Sequence, residues 1–294
     1  MIYLKNFYLP GDREETDFVL YEEKRTCFPS FYPFNIFPLK GLDEVTFDSP
    51  ITTFYGGNGS GKSTLINVMA RKVHAVRYSD FNDAPLFDRF VEKCTAEFRR
   101  YPAAAYVLTS DDVFDYALSA RSVNENIIDR RQDLFERYNE IMEEASKDPS
   151  VGWLGGLDDY ERWSEVREVL SPKRSQSSYV KKRMVRDIEL HSNGETAMRY
   201  FLDRIDQDAI YFLDEPENSL SIELQIQLAD YIVATARATK SQFIIATHSP
   251  VLLAMQGSTV YNLDEYPVGV CDWTELPNVR RYFDFFMEHA EEFE

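Results

Sequence analysis

The pattern of apolar and polar positions predicts alternating strands and helices in the second half of the chain. Residues 209–213 and 242–247 are largely apolar runs of strand length, each followed at once by polar residues, as in buried parallel strands. Between them, apolar side chains recur at helical spacing from Leu220 to Ile232. The three segments together predict a strand–helix–strand unit, which is typical of an α/β fold.

The first part of the chain combines a strand-rich start with a strand, a loop and a helix. Residues 1–55 are rich in aromatic and β-branched side chains interrupted by proline and glycine, which predicts several short antiparallel strands. Residues 51–55 lead into a glycine-rich loop, after which apolar side chains follow helical spacing from Lys62 to Val76. Residues 103–108 are a further strand candidate.

Two other segments have distinct patterns. Residues 113–205 are mostly helical and charged, and they lack a heptad pattern sustained over several repeats, so a long coiled-coil arm is not predicted. The acidic segment from Asp264 onward contains one apolar helix face, formed by Phe283, Phe286, Met287 and Ala290.

The composition predicts a soluble protein of a reducing compartment. The 32 basic and 50 acidic residues give a net charge of −18, which restricts any nucleic-acid binding to local patches. The 3 cysteines are scattered and lack the spacing of metal ligands. Because the chain lacks a signal-peptide pattern and an apolar run of about 18 residues, we expect a cytoplasmic protein without a membrane segment.

The glycine-rich loop matches the pattern of a phosphate-binding loop. Gly56, Gly61, Lys62 and Ser63 fit the spacing G-x-x-x-x-G-K-[ST], in the strand–loop–helix context that this motif requires. In such a loop, inward-facing N–H groups and the start of the following helix bind phosphates. Lys62 is expected to reach the β- and γ-phosphates, and the Ser63 hydroxyl is expected to ligate Mg²⁺. The predicted nucleotide-binding residues are Gly56, Gly57, Asn58, Gly59, Ser60, Gly61, Lys62, Ser63 and Thr64.

Polar residues at the ends of the two later strands complete the predicted chemistry. Asp214 and Glu215 follow residues 209–213, at the sheet edge where ligands of parallel sheets bind. Asp214 is predicted to hold Mg²⁺ through water, and Glu215 to act as the general base on the attacking water. His248 follows the second strand and is predicted to sense the γ-phosphate, so the catalytic candidates are Glu215, His248 and Lys62.

The order of these motifs resembles that of ATP-binding cassette (ABC-type) ATPases. Ser192 and Gly194 match two positions of the family's L-S-G-G-Q signature, and residues 217–221 stand at the position of its D-loop, the segment that contacts the second subunit in that family. After the 103–108 strand, residues 109–111 stand where the family has a glutamine. The resemblance implies an ATPase that uses ATP and Mg²⁺.

The resemblance also implies an architecture. We expect the α/β fold of an ABC-type P-loop NTPase, with an N-terminal antiparallel β subdomain and an inserted helical subdomain. A single domain then spans residues 1–294. Lobe I, residues 1–112 and 206–294, holds the nucleotide-binding core, and lobe II, residues 113–205, holds the signature motif.

Within the family, residues 214–220 and 244–250 are similar to soluble bacterial ATPases related to SMC, RecF and OLD-type proteins, which include ATPases of antiphage defence and DNA maintenance or repair. This branch implies a homodimer around ATP, in which Ser192 and Gly194 of one subunit complete the γ-phosphate site of the other. It also implies a separately encoded nucleic-acid-processing or defence effector. The alternatives are an energising subunit of a membrane transporter and a slow nucleotide-dependent sensing or structural module.

Two further assignments stay open at this point. The adenine-stacking aromatic residue is one of Tyr3, Phe7 and Tyr8, each of which is also a core candidate. Residues 162–186 form a basic cluster that includes Lys181, Lys182 and Arg183. This cluster either contacts a nucleic-acid backbone or an acidic partner, or forms a solvated helix face.

Overall fold

A computed structural model describes residues 1–24, 30–79, 84–148, 160–171, 175–183, 193–205 and 208–293. The larger sheet consists of β3 (Ile51–Tyr55), β4 (Val76–Arg77), β6 (Ala105–Thr109), β7 (Ile210–Asp214), β8 (Gln242–Ala246), β9 (Ser258–Asn262) and β10 (Gly269–Cys271). These seven strands lie in the order β10-β9-β3-β8-β7-β6-β4. All neighbouring strands pair in parallel except β9 and β10, which are antiparallel.

A second sheet consists of β1 (Leu4–Tyr8), β2 (Glu44–Thr46) and β5 (Thr95–Phe98). These strands are antiparallel and lie in the order β2-β1-β5. The sheet confirms the predicted antiparallel subdomain, although its third strand comes from outside residues 1–55. The buried Gln242 joins the two sheets, since its Oε1 accepts hydrogen bonds from the N–H groups of Tyr3 (2.8 Å) and Leu4 (2.9 Å) and its Nε2 donates to the Leu4 carbonyl.

The described helices are α1 (Asp12–Asp17), α2 (Lys62–Lys72), α3 (Phe87–Lys93), α4 (Ser110–Lys147), α5 (Tyr160–Val169), α6 (Gln176–Arg183), α7 (Asn193–Arg204), α8 (Ile222–Ala238), α9 (Pro250–Leu253) and α10 (Pro277–Glu288). None of these helices combines the length and the hydropathy that a membrane-spanning helix needs.

The centre of the seven-stranded sheet consists of strands that are buried on both faces. β3 is buried along its whole length, and so is β8, as expected for central strands of a parallel sheet. On one face, the rings of Tyr106, Tyr211 and Phe243 stack in a row across three adjacent strands, with centroid distances of 5.8 and 5.3 Å. This packing fixes β6, β7 and β8 side by side, so that their carboxyl ends form one edge.

The chain divides into two compact units. Unit 1 contains residues 1–115 and 191–294, and unit 2 contains residues 116–190. Unit 2 has a small core of its own, formed by Ile141, Val166, Val169, Tyr179 and Val180. Helix α7, which follows the predicted signature, belongs to unit 1, whereas the expected helical lobe extended to residue 205.

Helix α10 is attached to unit 1 at its start and is exposed beyond it. Val279 packs with Leu276 against Tyr55, Leu253 and Val260. The predicted apolar face is not buried within this chain, because Phe283, Phe286 and Met287 are each more than half exposed.

A buried carboxyl group outside the sheet makes the stability of unit 1 depend on pH. Glu15 on α1 is fully buried, and one of its oxygens accepts a hydrogen bond from the N–H of Asn35. Its Oε1 has no hydrogen-bond partner within the described residues. Burial raises the pKa of Glu15 to about 7, with Asp12 and Glu14 adding to the rise and the Asn35 N–H opposing it.

We therefore expect Glu15→Gln to remove part of the pH dependence of folding. The pKa is higher in the folded than in the unfolded state, so the neutral carboxyl stabilises the fold at acidic pH and this stability is lost as the pH rises through about 7. Between pH 5.5 and 8.5 the loss for the unaltered protein is about 2 kcal/mol. Urea unfolding at both pH values measures this loss, and the exposed Glu275→Gln, which does not act on Glu15, is the control. An equal pH dependence in Glu15→Gln and the parent would contradict the assignment.

Candidate functional site

The glycine loop lies between β3 and α2 and needs glycine at three positions. Gly59 and Gly61 have φ angles of +77° and +95°, in the left-handed region that favours glycine. At Gly56, an added Cβ would lie 2.4 Å from Ser60 Oγ, so the close approach excludes a side chain. Helix α2 begins at Lys62 directly after Gly61, and its start supplies unpaired N–H groups and partial positive charge. The loop therefore has the backbone geometry of an anion-binding site.

Lys62 brings a buried positive charge into this loop. The side chain is 4% exposed, and Nζ donates hydrogen bonds to the carbonyls of Gly56 (2.8 Å) and Gly57 (3.2 Å). Nζ also lies 3.5 Å from Oε1 of Glu215, beyond the end of β7. Two motifs that are about 150 residues apart in sequence thus meet at one ion pair.

Ser63 and Asp214 meet next to this pair. The Ser63 hydroxyl donates a hydrogen bond to Asp214 Oδ1 at 3.0 Å. Burial raises the pKa of Asp214 to about 6, with a further rise from the neighbouring Glu215, while the Ser63 hydrogen bond and the charges of Lys62 and Arg77 lower it. A buried carboxylate beside a hydroxyl and a second carboxylate is an all-oxygen set, which suits a hard divalent cation such as Mg²⁺.

Glu215 and His248 lie on neighbouring strand ends. Glu215 has a φ of +47°, uncommon for a residue with a side chain, and its N–H donates to the Ala246 carbonyl at 2.9 Å. Asn218 Nδ2 donates to Glu215 Oε2 at 3.0 Å. His248 Nδ1 lies 3.9 Å from Glu215 Oε1, and the imidazole is partly exposed. The carboxylate is thus held by backbone and side-chain contacts between the lysine and the histidine.

A cavity of about 440 Å³ opens beside these groups. Ser63, Thr64, Asp214 and Glu215 line part of it. Its other lining residues are Tyr32, Asn67, Arg77, Thr109, Ser110 and Asp111. Residues 109–111, which stand where the ABC family has a glutamine, therefore do face the candidate site.

Sequence reasoning missed Tyr32 and Arg77. The Tyr32 hydroxyl shares a hydrogen bond of 2.9 Å with Thr64 Oγ1, although it precedes the glycine loop by more than twenty residues. Arg77 ends β4, which pairs with β6 in the sheet. Neither residue belongs to a local motif, and the strand order that brings Arg77 to the cavity has no signal in the sequence.

The three aromatic residues considered for adenine stacking lie elsewhere. Tyr3 and Phe7 are buried in the core, at 4% and 0% exposure. Tyr8 lies on the antiparallel sheet, where Asn6 Nδ2 donates to its hydroxyl at 3.1 Å. Unlike these three residues, Tyr32 contacts the glycine loop, through its hydrogen bond with Thr64.

The structure describes only some of the remaining predicted site residues. Gly194 lies at the start of α7, where an added Cβ would come within 2.7 Å of Leu224 Cδ1, so α7 packs closely on α8. Ser192 lies outside the described residues. Lys181, Lys182 and Arg183 belong to α6 in unit 2, and their side chains are outside the described part of the chain.

A family model described as an AAA ATPase domain matches residues 195–253. The matched segment contains Asp214, Glu215 and His248, and the first two of these contact Ser63 and Lys62 next to the glycine loop. The chain has a P-loop NTPase fold. The match and the parallel sheet confirm the predicted fold class and the recognition of the chain as a P-loop ATPase.

Solved structures similar to this chain are distant from it in sequence. A structure described as a metal-chelate type ABC transporter is 13% identical, with a TM-score of 0.40, and the match covers 80% of this chain and 76% of that chain. The Smc head domain from Pyrococcus furiosus, bound to the C-terminal domain of ScpA, is 13% identical, with a TM-score of 0.42 and coverage of 99% and 100%. Stu0660 of Streptococcus thermophilus is 15% identical, with a TM-score of 0.40 and coverage of 79% and 74%.

No curated protein sequence matches the chain.

Proposed function

We propose that the chain is an ABC-type ATPase that binds Mg-ATP in the loop 56–64 and hydrolyses it. The observation that carries the proposal is the convergence of Lys62, Ser63, Asp214 and Glu215 at one place: Lys62 Nζ is 3.5 Å from Glu215, and Ser63 Oγ is 3.0 Å from Asp214. A phosphate-binding loop beside two carboxylates at a parallel-sheet edge is the arrangement that phosphoryl transfer from ATP requires.

In this proposal the loop residues hold the phosphates. The backbone N–H groups and the start of α2 bind the phosphate oxygens, and the ammonium group of Lys62 pairs with the β- and γ-phosphates. Ser63 and Asp214 hold Mg²⁺, which neutralises the charge that develops on the phosphate oxygens. Tyr32, through its contact with Thr64, contributes an aromatic ring next to the bound nucleotide.

Glu215 and His248 carry the chemistry of water attack. Lys62 neutralises Glu215 in the present structure, and a triphosphate competes for the same ammonium group. Once Lys62 pairs with phosphate, Glu215 is free to accept the proton of the attacking water as a general base. His248, partly exposed beside Glu215, provides a second polar contact for the γ-phosphate or that water.

We further propose that two copies close around ATP. Ser192 and Gly194 of one copy complete the γ-phosphate site of the other, since a helix start with a serine hydroxyl suits an anion. A Cβ added at Gly194 would lie 3.5 Å from the Ser219 carbonyl oxygen, so the start of α7 lies next to the predicted D-loop, the other segment that would contact the second copy. The ATP-bound dimer would control a separately encoded nucleic-acid-processing or antiphage-defence effector in the cytoplasm, and Lys181, Lys182 and Arg183 are the candidates for nucleic-acid contact.

The direct test of the enzymatic part is the release of inorganic phosphate from ATP by the purified protein, with and without Mg²⁺. We expect turnover that requires Mg²⁺. Binding of ATP without any phosphate release, under conditions in which the protein is folded, would contradict the assignment as a hydrolase.

A further inference from the structure

A buried carboxylate outside the nucleotide cavity holds the loop that carries His248. Glu217 lies in the 3-10 turn Pro216–Ser219 that follows β7, and it is 5% exposed. Its Oε1 accepts hydrogen bonds from Thr247 Oγ1 at 2.7 Å, from His248 N at 2.9 Å and from Ser249 N at 3.2 Å. Three donors from consecutive residues converge on this one oxygen. The loop between β8 and α9 is thereby fixed to the turn that follows Glu215.

A second connection joins the same two segments. Ser249 Oγ donates to Gln225 Oε1 at 2.7 Å, and Gln225 Nε2 donates to the Leu220 carbonyl at 3.0 Å. Residues 217–225, which include the predicted D-loop, and residues 247–249 are therefore tied at two points. A displacement of one segment must break or move both connections.

The imidazole of His248 faces Glu217 with one of its nitrogens. Nδ1 lies 3.5 Å from Glu217 Oε1 and is buried without a hydrogen-bond partner among the described residues. The second carboxylate oxygen, Oε2, is likewise buried and unpartnered in that part of the chain. The side chain of His248 is nevertheless 44% exposed, so the solvent reaches side-chain atoms other than Nδ1. A carboxylate next to Nδ1 favours a proton on that nitrogen.

We propose that Glu217 is a positioning residue for His248. It fixes the 247–249 loop to the turn after Glu215 and keeps the proton of the neutral imidazole on Nδ1, which leaves Nε2 as the free nitrogen of the ring. A second subunit that contacts the D-loop would then move His248 through Glu217 and Gln225. This inference rests on the proposed ATPase function and names a residue that couples the dimer-contacting segment to the site.

The test is a double-mutant cycle between Glu217→Gln and His248→Ala, measured by steady-state ATP hydrolysis. Glutamine keeps the size of the side chain and removes its charge. We expect Glu217→Gln to lower kcat by about 10–100-fold, as misplacement of a reacting group does, with the KM for ATP unchanged because the loop 56–64 is untouched. In the His248→Ala background the same change should have an effect of less than about twofold. The exposed Glu275→Gln, outside residues 217–225, is the matched control and should hydrolyse ATP at the parental rate.

A second measurement decides the proposal independently of hydrolysis. The chain has 4 histidines, so ¹⁵N-histidine labelling gives a small set of ring signals that His248→Ala assigns. We expect the His248 ring to carry its proton on Nδ1 in the parent and to lose this preference in Glu217→Gln. Equal losses of kcat in both backgrounds, or an unchanged His248 tautomer in Glu217→Gln, would overturn the proposal. A parent protein that does not hydrolyse ATP would contradict the proposed function instead, and the ring signals would still decide the role of Glu217.

Discussion

Glu215→Gln is expected to lower the rate of ATP hydrolysis by about 10²–10⁴-fold while leaving ATP binding intact, because the amide cannot accept a proton from water. The contacts of Glu215 with Asn218 and with the Ala246 carbonyl are compatible with glutamine, since one contact uses the side-chain oxygen and the other uses the backbone N–H. Hydrolysis is measured by phosphate release and binding by calorimetry on the same sample.

The matched control for this variant is Glu275→Gln, which makes the same chemical change at an exposed turn. It should behave as the parent does in both assays. If Glu215→Gln hydrolyses ATP at the parental rate, Glu215 is not the general base and another group at the cavity must take that role.

Lys62→Ala is expected to weaken ATP binding itself, by about 10–100-fold, because it removes charge-assisted hydrogen bonds to the phosphates. The lysine is buried, but its removal leaves no buried charge unpaired in the loop, and Glu215 is partly exposed to water. Thermal unfolding of the variant should therefore show a folded protein.

Titration calorimetry with ATP measures the effect of Lys62→Ala, and Lys240→Ala, at an exposed position, is its control. Because Glu215→Gln should keep the parental ATP affinity and Lys62→Ala should bind ATP more weakly, the two variants separate binding from chemistry. Equal ATP affinity in Lys62→Ala and the parent would mean that the ammonium group does not contact the phosphates.

The strands that build the site could be predicted because each has a local signal. Residues 209–213 and 242–247 were expected as strands, and the structure has Ile210–Asp214 and Gln242–Ala246. The apolar runs mark strands that are buried on both faces, and the polar residues after them mark the sheet edge. The glycine loop was equally predictable, since its backbone requires glycine at particular positions.

The partners across the sheet could not be predicted in the same way. Strand pairing depends on contacts between distant segments, so no local pattern indicates that β4 joins β6 and brings Arg77 to the cavity, or that β5 completes the antiparallel sheet. Tyr32 reaches Thr64 from a segment of turns, where the sequence lacks a periodic signal.

Glu217 is an intermediate case. The sequence places it at the start of the predicted D-loop, which predicts a contact with the second subunit. Its burial and its three hydrogen bonds to residues 247–249 depend on the parallel pairing of β7 with β8, which sets the two strand ends next to each other. The sequence shows that a carboxylate stands at this position, but it does not indicate that residues 247–249 bind it.

In the proposed mechanism, ATP closes two copies of this chain around a composite site. The molar mass of Glu215→Gln, measured by light scattering in the presence of Mg²⁺ with either ATP or ADP, tests this dimerisation. We expect a mass of about twice 34.3 kDa with ATP and of one chain with ADP. The same mass with both nucleotides, in a protein shown to bind ATP, would rule out ATP-dependent dimerisation.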